Sequence, residues 1–223
     1  MQIALIGLGK MGLNLAINMQ KHKHEVFAFD LNQQILQSAK DKAIRTASSL
    51  EELVHSLQGR KVLWLMIPAG QAVDLTIQQV IPLLRAGDII IDGGNSNYKD
   101  SMRRAKELDA KGIDFVDCGT SGGMEGALNG VCAMLGGKKE AFAYIEPLIK
   151  DISIEKGYLY CGPSGAGHFV KMIHNGIEYG MMQAIAEGFE VLHKSEFNLD
   201  LKSVAGVWNH GSVVRSWLME LTE

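Results

Sequence analysis

The stretch Gln2-Ile3-Ala4-Leu5-Ile6-Gly7-Leu8-Gly9-Lys10-Met11-Gly12 decides the fold. The apolar run Gln2–Ile6 predicts a strand, G-x-G-x-x-G spacing follows it directly, and residues 11–21 carry a helical pattern. Each glycine has a physical task. Gly7 makes the tight turn, Gly9 lets backbone approach a pyrophosphate, and Gly12 permits close packing of helix on strand. The helix N-terminus at Lys10 and Met11 then offers N–H groups and a positive dipole end to phosphate. Such a turn alone is common, and Asp30 makes it specific. It ends the second predicted strand, 18 residues after Gly12, where a carboxylate accepts hydrogen bonds from ribose hydroxyls and repels a 2′-phosphate. NAD is therefore expected over NADP. The competing role for Asp30 is capping a helix that starts near Asn32.

Working outward, further short apolar runs at 25–30, 61–67, 88–92, 113–117, 131–135 and 157–161 alternate with helical patterns such as 99–111. This predicts an α/β fold, a Rossmann-type doubly wound and mainly parallel sheet covered on both faces. From 164 to about 194 the chain reads as one unusually long helix without proline, followed by helical patterns at 199–209 and 212–221. Gly162-Pro163 is a turn signal. The expected division is a dinucleotide-binding domain over 1–163 and the start of an all-helical domain over 164–223. In the last segment Val213, Val214, Trp217, Leu218 and Leu221 form an apolar stripe with nothing downstream to pack on. It implies cover by a partner subunit or a C-terminally truncated chain.

Composition narrows the function classes. With 22 basic against 25 acidic residues, a net charge of −3 and no basic block, the chain lacks the footprint of a nucleic-acid binder. Its three cysteines, Cys118, Cys132 and Cys161, form neither a C-x-x-C pair nor a disulfide framework, which points to a reducing compartment. No run approaches the length of a membrane span, and residues 1–9 lack a basic leader or a cleavage site, so a cytoplasmic location is expected. No H-x-x-x-H or carboxylate cluster suggests a metal site, and His22 and His24 read as solvent-exposed.

Two later strand ends are expected to face the cofactor, because ligands in such sheets lie beyond the carboxyl ends of the strands. They are Met66-Ile67-Pro68 and Asp92-Gly93-Gly94-Asn95-Ser96, where the glycines permit close backbone approach and Asn95 supplies an amide. Ser121-Gly122-Gly123 follows another strand end and could cradle an anionic carboxylate or be a plain turn. On the long helix Lys171, His174, Asn175, Glu178 and Tyr179 fall at i, i+3, i+4, i+7 and i+8 and share one face. Val170, Ile173, Ile177, Met181 and Ala184 lie alongside and are expected to hold the helix against the rest of the protein. Lys171 and Glu178 stand two turns apart, about 10 Å along the axis, which suits flanking a small substrate better than pairing directly. A solvated polar face is the alternative. Gly165, Gly167, Gly176, Gly180 and Gly188 argue against it, since each costs a helix about 1 kcal/mol unless something approaches the backbone closely.

Together these motifs resemble the 6-phosphogluconate dehydrogenases. The resemblance rests on residues 7–16, on Ile91-Asp92-Gly93-Gly94-Asn95-Ser96, on Ser121-Gly122-Gly123 with Gly126-Ala127, and above all on residues 165–183. It implies oxidative decarboxylation of 6-phosphogluconate to ribulose 5-phosphate and CO2, a step of the pentose phosphate pathway, with reduction of NAD and no metal. Lys171 would be the base at the C3 hydroxyl and then the acid towards the ketone oxygen. Glu178 would protonate C1 of the enediol. Ser121, Gly122 and Gly123 would hold the substrate carboxylate, Asn95, His174 and Asn175 would contact the substrate, and Tyr179 would touch its phosphate. Gly7, Gly9, Lys10, Met11, Gly12, Asp30, Met66, Ile67, Pro68 and Asn95 would hold the cofactor. To accept a proton Lys171 must be neutral, far from an ordinary value near 10.4, and desolvation is the expected cause. Long NADP-dependent members typically carry Asn-Arg-Thr where this chain has Asp30-Leu31-Asn32, which places it with a short NAD-preferring branch. Relatives are dimers, so a homodimer is expected, and further phosphate ligands of the family lie beyond Glu223. A related β-hydroxyacid dehydrogenase, such as one acting on 3-hydroxyisobutyrate, is the nearest rival, although it needs no acid at Glu178. An inactive NAD-binding fragment is the other.

Overall fold

A computed structural model describes all 223 residues, Met1–Glu223. Eight strands, β1 (Gln2–Ile6), β2 (Glu25–Phe29), β3 (Arg45–Thr46), β4 (Val62–Leu65), β5 (Ile89–Asp92), β6 (Asp114–Ser121), β7 (Val131–Gly137) and β8 (Ser153–Gly162), form one sheet in the order β3-β2-β1-β4-β5-β6-β7-β8. Every neighbouring pair is parallel except β6 and β7. The connecting helices are α1 (Lys10–Lys21), α2 (Gln33–Lys40), α3 (Leu50–His55), α4 (Gln71–Val80), α5 (Tyr98–Asp109), α6 (Gly123–Asn129) and α7 (Lys139–Ile152). Then come α8 (Ala166–His193), α9 (Leu201–Asn209) and α10 (Trp217–Thr222). This is the expected Rossmann-type sheet followed by an all-helical segment.

Alternation along each strand explains the double cover. Ile3 and Leu5 of β1 join one core with Val62 and Trp64 of β4 and with Ile89 and Ile91 of β5, beneath α1, α2 and α7. The intervening Ala4, Ile6, Leu63, Leu65 and Ile90 join a second core beneath α3, α4 and α5. Residues of both sets are nearly or fully inaccessible, which is why these strands read as unbroken apolar runs. Strand order reverses between β1 and β4, so the glycine turn after β1 opens at the switch point where such folds bind ligands.

Several boundaries differ from the sequence reading, among them the start of β8 at Ser153 and not at 157. The sixth strand continues from 117 through Ser121, because antiparallel pairing with β7 runs from Val116↔Gly137 to Ser121↔Cys132 and keeps the ladder going. Thr120 and Ser121 are therefore strand residues. The two-residue β3 is too short to carry a period. The final helix begins at Trp217 and not at 212, since Gly211 turns the chain at φ +95° and the Ser216 side chain caps the Met219 N–H.

The chain divides into two compact units, Met1–Lys171 and Met172–Glu223. In the second, Ala205 and Met219 are the buried apolar residues, and Phe189 meets Trp208 edge to face at 5.6 Å. The stripe expected to bury α8 is instead open: Ile173 is 48%, Ile177 60% and Met181 42% exposed, and Val170 and Ala184 are exposed too. No helix is long and apolar enough to cross a membrane.

Candidate active site

The glycine turn is built by collisions that only glycine avoids. Gly7 sits at φ +94°, and a Cβ there would strike the Met66 carbonyl oxygen and press on Ile67. One at Gly12 would strike the Gly7 carbonyl oxygen, so the first turn of α1 packs directly on the strand end. At Gly9 a Cβ would meet nothing within 4 Å. That open face is where a bound phosphate needs room, and Gly9 is also the cap residue of α1, without a side chain to satisfy the helix N–H groups. Lys10 and Met11 are the first helical residues behind it.

Asp30 has backbone partners that its sequence position did not announce. Its Oδ2 accepts the Leu8 N–H at 2.7 Å and its Oδ1 accepts the Asn32 N–H at 2.8 Å. It therefore staples the glycine turn while bordering the cavity beside it. The helix that follows is capped by Asn32, whose side chain accepts the Gln34 N–H at 2.9 Å. Helix capping is thus not the role of Asp30. The cavity, about 700 Å³, is lined by Gly7, Gly9, Asp30, Met66, Ile67 and Pro68, six of the ten residues expected to hold a cofactor, whereas Lys10, Met11, Gly12 and Asn95 are not among its lining residues. Sequence reasoning missed the remainder of its wall. Phe29, Leu31, Leu50, Ala72 and Leu75 make it largely apolar, and Ser48, Ser49, Thr76 and Gln79 add hydroxyl and amide groups. Those come from the end of β2, the start of α3, loops and α4, where no motif marks them. A glycine cradle beside a carboxylate and an apolar wall fits an adenine dinucleotide.

The loop after β5 is closed by the protein itself. A Cβ on Gly93 would run into the indole of Trp64, and one on Gly94 would come within 2.9 Å of the Ile67 carbonyl oxygen. These glycines thus let two loops meet. Asp92, fully buried, accepts the Ser96 hydroxyl at 2.7 Å and the Gly94 N–H at 3.2 Å. Asn95, between them, is exposed. Burial pushes the Asp74 carboxyl up, but hydrogen bonds from Arg104 and Arg103 outweigh it and hold the group below the usual carboxylate range.

An aspartate inside β6 sets the start of α8. Asp117, fully buried in β6, accepts the Gly165 N–H at 2.6 Å and the His168 N–H at 2.9 Å, satisfying donors that a helix start leaves unpaired. The helix then lies directly on the sheet. A Cβ at Gly167 would collide with the Met134 carbonyl oxygen, and one at Gly136 would approach the Gly167 nitrogen at 2.7 Å. His168 is buried, with Nε2 3.1 Å from the Gly94 carbonyl and Nδ1 2.7 Å from the Ser101 hydroxyl. The carbonyl can only accept, so Nε2 carries the hydrogen. Lys171 follows one turn later, 8% exposed, and its stem lies against Gly119, where a Cβ would collide with it. Gly119 is two residues from Ser121, so the expected base lies beside the strand whose end carries the expected carboxylate cradle. Gly122 enters α6 at φ +113°, and Gly123 is the first helical residue.

In the second unit His174, Asn175, Glu178 and Tyr179 continue along α8. His174 Nδ1 is 3.2 Å from the Asn175 amide oxygen and 3.7 Å from the Glu178 carboxylate. Tyr179 is 71% exposed. The glycine argument divides here. Gly165 and Gly167 are needed for packing, whereas a Cβ at Gly176, Gly180 or Gly188 would meet nothing within 4 Å. His24 also departs from expectation. It is buried, its Nε2 3.1 Å from Asp151 and its Nδ1 3.1 Å from the N-terminal amine, and burial followed by that amine's charge lowers its pKa.

Comparison with known proteins gives a consistent picture. Residues 2–162 match the profile described as the NAD binding domain of 6-phosphogluconate dehydrogenase, and residues 167–223 match that of the 6-phosphogluconate dehydrogenase C-terminal domain. A Bacillus subtilis protein provisionally named a 6-phosphogluconate dehydrogenase is 52% identical over 223 residues, all of this chain and 75% of the relative. The NAD(+)-dependent, decarboxylating 6-phosphogluconate dehydrogenase of Haloferax volcanii is 45% identical over 224 residues, all of this chain and 74% of that enzyme. Plasmodium falciparum 6-phosphogluconate dehydrogenase, solved alone, with its cofactor NADP+ and with 6-phosphogluconate, superposes with a TM-score of 0.93 at 35% identity. That match covers all of this chain and 50% of the other. The chain spans about half the length of the longer curated relatives it matches.

Proposed function

This chain belongs to the 6-phosphogluconate dehydrogenase family, and on that premise we propose that it oxidatively decarboxylates 6-phosphogluconate to ribulose 5-phosphate and CO2, with NAD preferred over NADP. The placement of Lys171 carries the reading. It is a buried lysine on a helix start pinned by Asp117, beside the strand that ends at Ser121. Bound NAD supplies the hydride acceptor for C3. Lys171 takes the proton of the C3 hydroxyl as hydride leaves C3, then donates a proton to the ketone oxygen as the bond between C1 and C2 breaks and the carboxylate departs as CO2. Glu178 protonates the carbon that the carboxylate leaves. Ser121, Gly122 and Gly123 bind the departing carboxylate, Asn95, His174 and Asn175 orient substrate hydroxyls, and Tyr179 meets the phosphate. Gly7, Gly9, Lys10, Met11, Gly12, Asp30, Met66, Ile67 and Pro68 hold the cofactor, with Asn95 at its nicotinamide end.

The preference for NAD is supported by Asp30 on the cavity wall, where its charge opposes a 2′-phosphate, and by the NAD(+)-dependent name of the Haloferax relative. The expected setting is a cytoplasmic homodimer serving the pentose phosphate pathway. The test is NADH formation from 6-phosphogluconate, run beside NADP and beside 3-hydroxyisobutyrate, with release of labelled CO2 from C1-labelled substrate. Lys171→Met should lower kcat by about 10²–10⁴, the range for general acid–base groups. Near-normal turnover by that variant would remove the role assigned to Lys171, and a clear NADP preference would overturn the assignment to Asp30.

A further inference from the structure

Arg104 is a charged residue at a core position. On α5 the buried residues are Ser101, Arg104 and Leu108, and Arg104 itself is 1% exposed. Its guanidinium reaches two loops at once. Nη2 donates to the Gly70 carbonyl at 3.0 Å, at the end of the loop after β4. Nη1 donates to the Asp92 carboxylate and the Ser96 hydroxyl, each at 3.3 Å, at the two ends of the loop after β5. Nε donates to Asp74 at 2.8 Å, and Asp74 is also held by Arg103. Four directed bonds from one rigid planar fork fix the relative position of their acceptors.

We infer that Arg104 is a positioning residue that locks the loops after β4 and β5 to one another and so sets the wall of the dinucleotide cavity. Gly70 is the cap residue of α4, and its carbonyl also accepts the Val73 N–H at 3.1 Å, so the grip extends to the helix that contributes Ala72, Leu75 and Thr76 to that wall. The loops meet where Gly94 lies under the Ile67 carbonyl, and Ile67 lines the cavity. A shift of the β5 loop is therefore passed to the cofactor site. From its other side the same loop is held by the hydrogen bond of His168 to Gly94. Mere neutralisation of Asp92 does not require an arginine, because a well-packed apolar replacement of a buried ion pair is often neutral or better for stability.

The inference rests on the proposed function only in taking the cavity to bind a dinucleotide. Its test compares wild type with Arg104→Lys and with Asp92→Asn/Arg104→Met, which buries neither of the two charges. NAD affinity is read by calorimetric titration, and hydrogen exchange is followed in peptides covering 66–72 and 92–98. Arg104→Lys keeps the charge but not the fork, and should weaken NAD binding about tenfold, or 1.4 kcal/mol, with faster exchange in both peptides. The double variant should stay at least as weak. Ile149→Ala, a core truncation on α7, should lower the Tm with NAD affinity unchanged, separating loop positioning from general loosening. The inference is overturned if the double variant binds NAD like wild type, if Arg104→Lys is indistinguishable from wild type, or if only one of the two loops exchanges faster. Should wild type bind no dinucleotide, the functional reading fails, and exchange in the two peptides still decides whether the clamp exists.

Discussion

The unit Met1–Lys171 and the unit Met172–Glu223 use the same residue types to opposite ends. In the first, glycines stand where backbone meets backbone, as at Gly7, Gly12 and Gly167, and the strand residues Ile3, Leu5, Ile89 and Ile91 have no exposure. In the second, Gly176, Gly180 and Gly188 face open space, and Ile173, Ile177 and Met181 are 42–60% exposed. A glycine or an apolar stripe in a helix therefore signals packing only when another element lies against it. The contrast occurs within a single helix, since α8 begins on the sheet with Gly167 and runs on through Gly176.

The contrast can be broken most forcefully at the glycine turn. Gly12→Ala places a methyl against the Gly7 carbonyl and should weaken NAD binding by about a hundredfold, equivalent to roughly 2.8 kcal/mol. Titration with NAD measures it, and unaltered affinity would mean the turn can yield. Next in size is a pair of substitutions on α8. Gly167→Ala should destabilise by about 1–3 kcal/mol, the usual cost of overpacking, because its methyl meets the Met134 carbonyl. Gly176→Ala should stabilise the same helix by up to about 1 kcal/mol through helix propensity alone. Denaturant unfolding of the two variants must give opposite signs, and a loss of stability in both would erase the distinction between the units.

A smaller effect concerns acid. Burial lowers the pKa of His24 in the folded chain below the ordinary 6.5. The unfolded chain therefore takes up the proton first, so the stabilisation due to neutral His24 is complete above pH 6.5 and declines as the pH falls below it. The Tm advantage of wild type over His24→Gln should shrink between pH 6.5 and more acidic buffer. A constant difference across that range would show that the imidazole does not change charge there.

Much of the candidate site was legible because the placement of its residues depends on local sequence. The turn from Gly7 to Gly12 is specified by spacing, and Asp30 by its position at a strand end. What that reading did not reveal is that three aspartates serve as staples. Asp30 holds Leu8 and Asn32, Asp92 holds Gly94 and Ser96, and Asp117 holds Gly165 and His168. A carboxylate after an apolar strand was a visible signal in each case, but its partners for Asp117 lie 48 and 51 residues away. Arg104 could have been noticed as a charge on the face that also carries Ser101 and Leu108, yet four acceptors from separate segments cannot be read from one helix.

Sequence alone determined the sheet, its double cover and the glycine turn, because periodicity and glycine spacing are properties of neighbours along the chain. It also located Lys171 and Glu178 on a common helix. Tertiary structure alone decided which apolar residues are covered, which glycines are necessary, and how far Lys171 is buried. Those outcomes depend on what reaches a given surface from elsewhere, and a stripe or a gap carries no record of whether anything arrives to fill it.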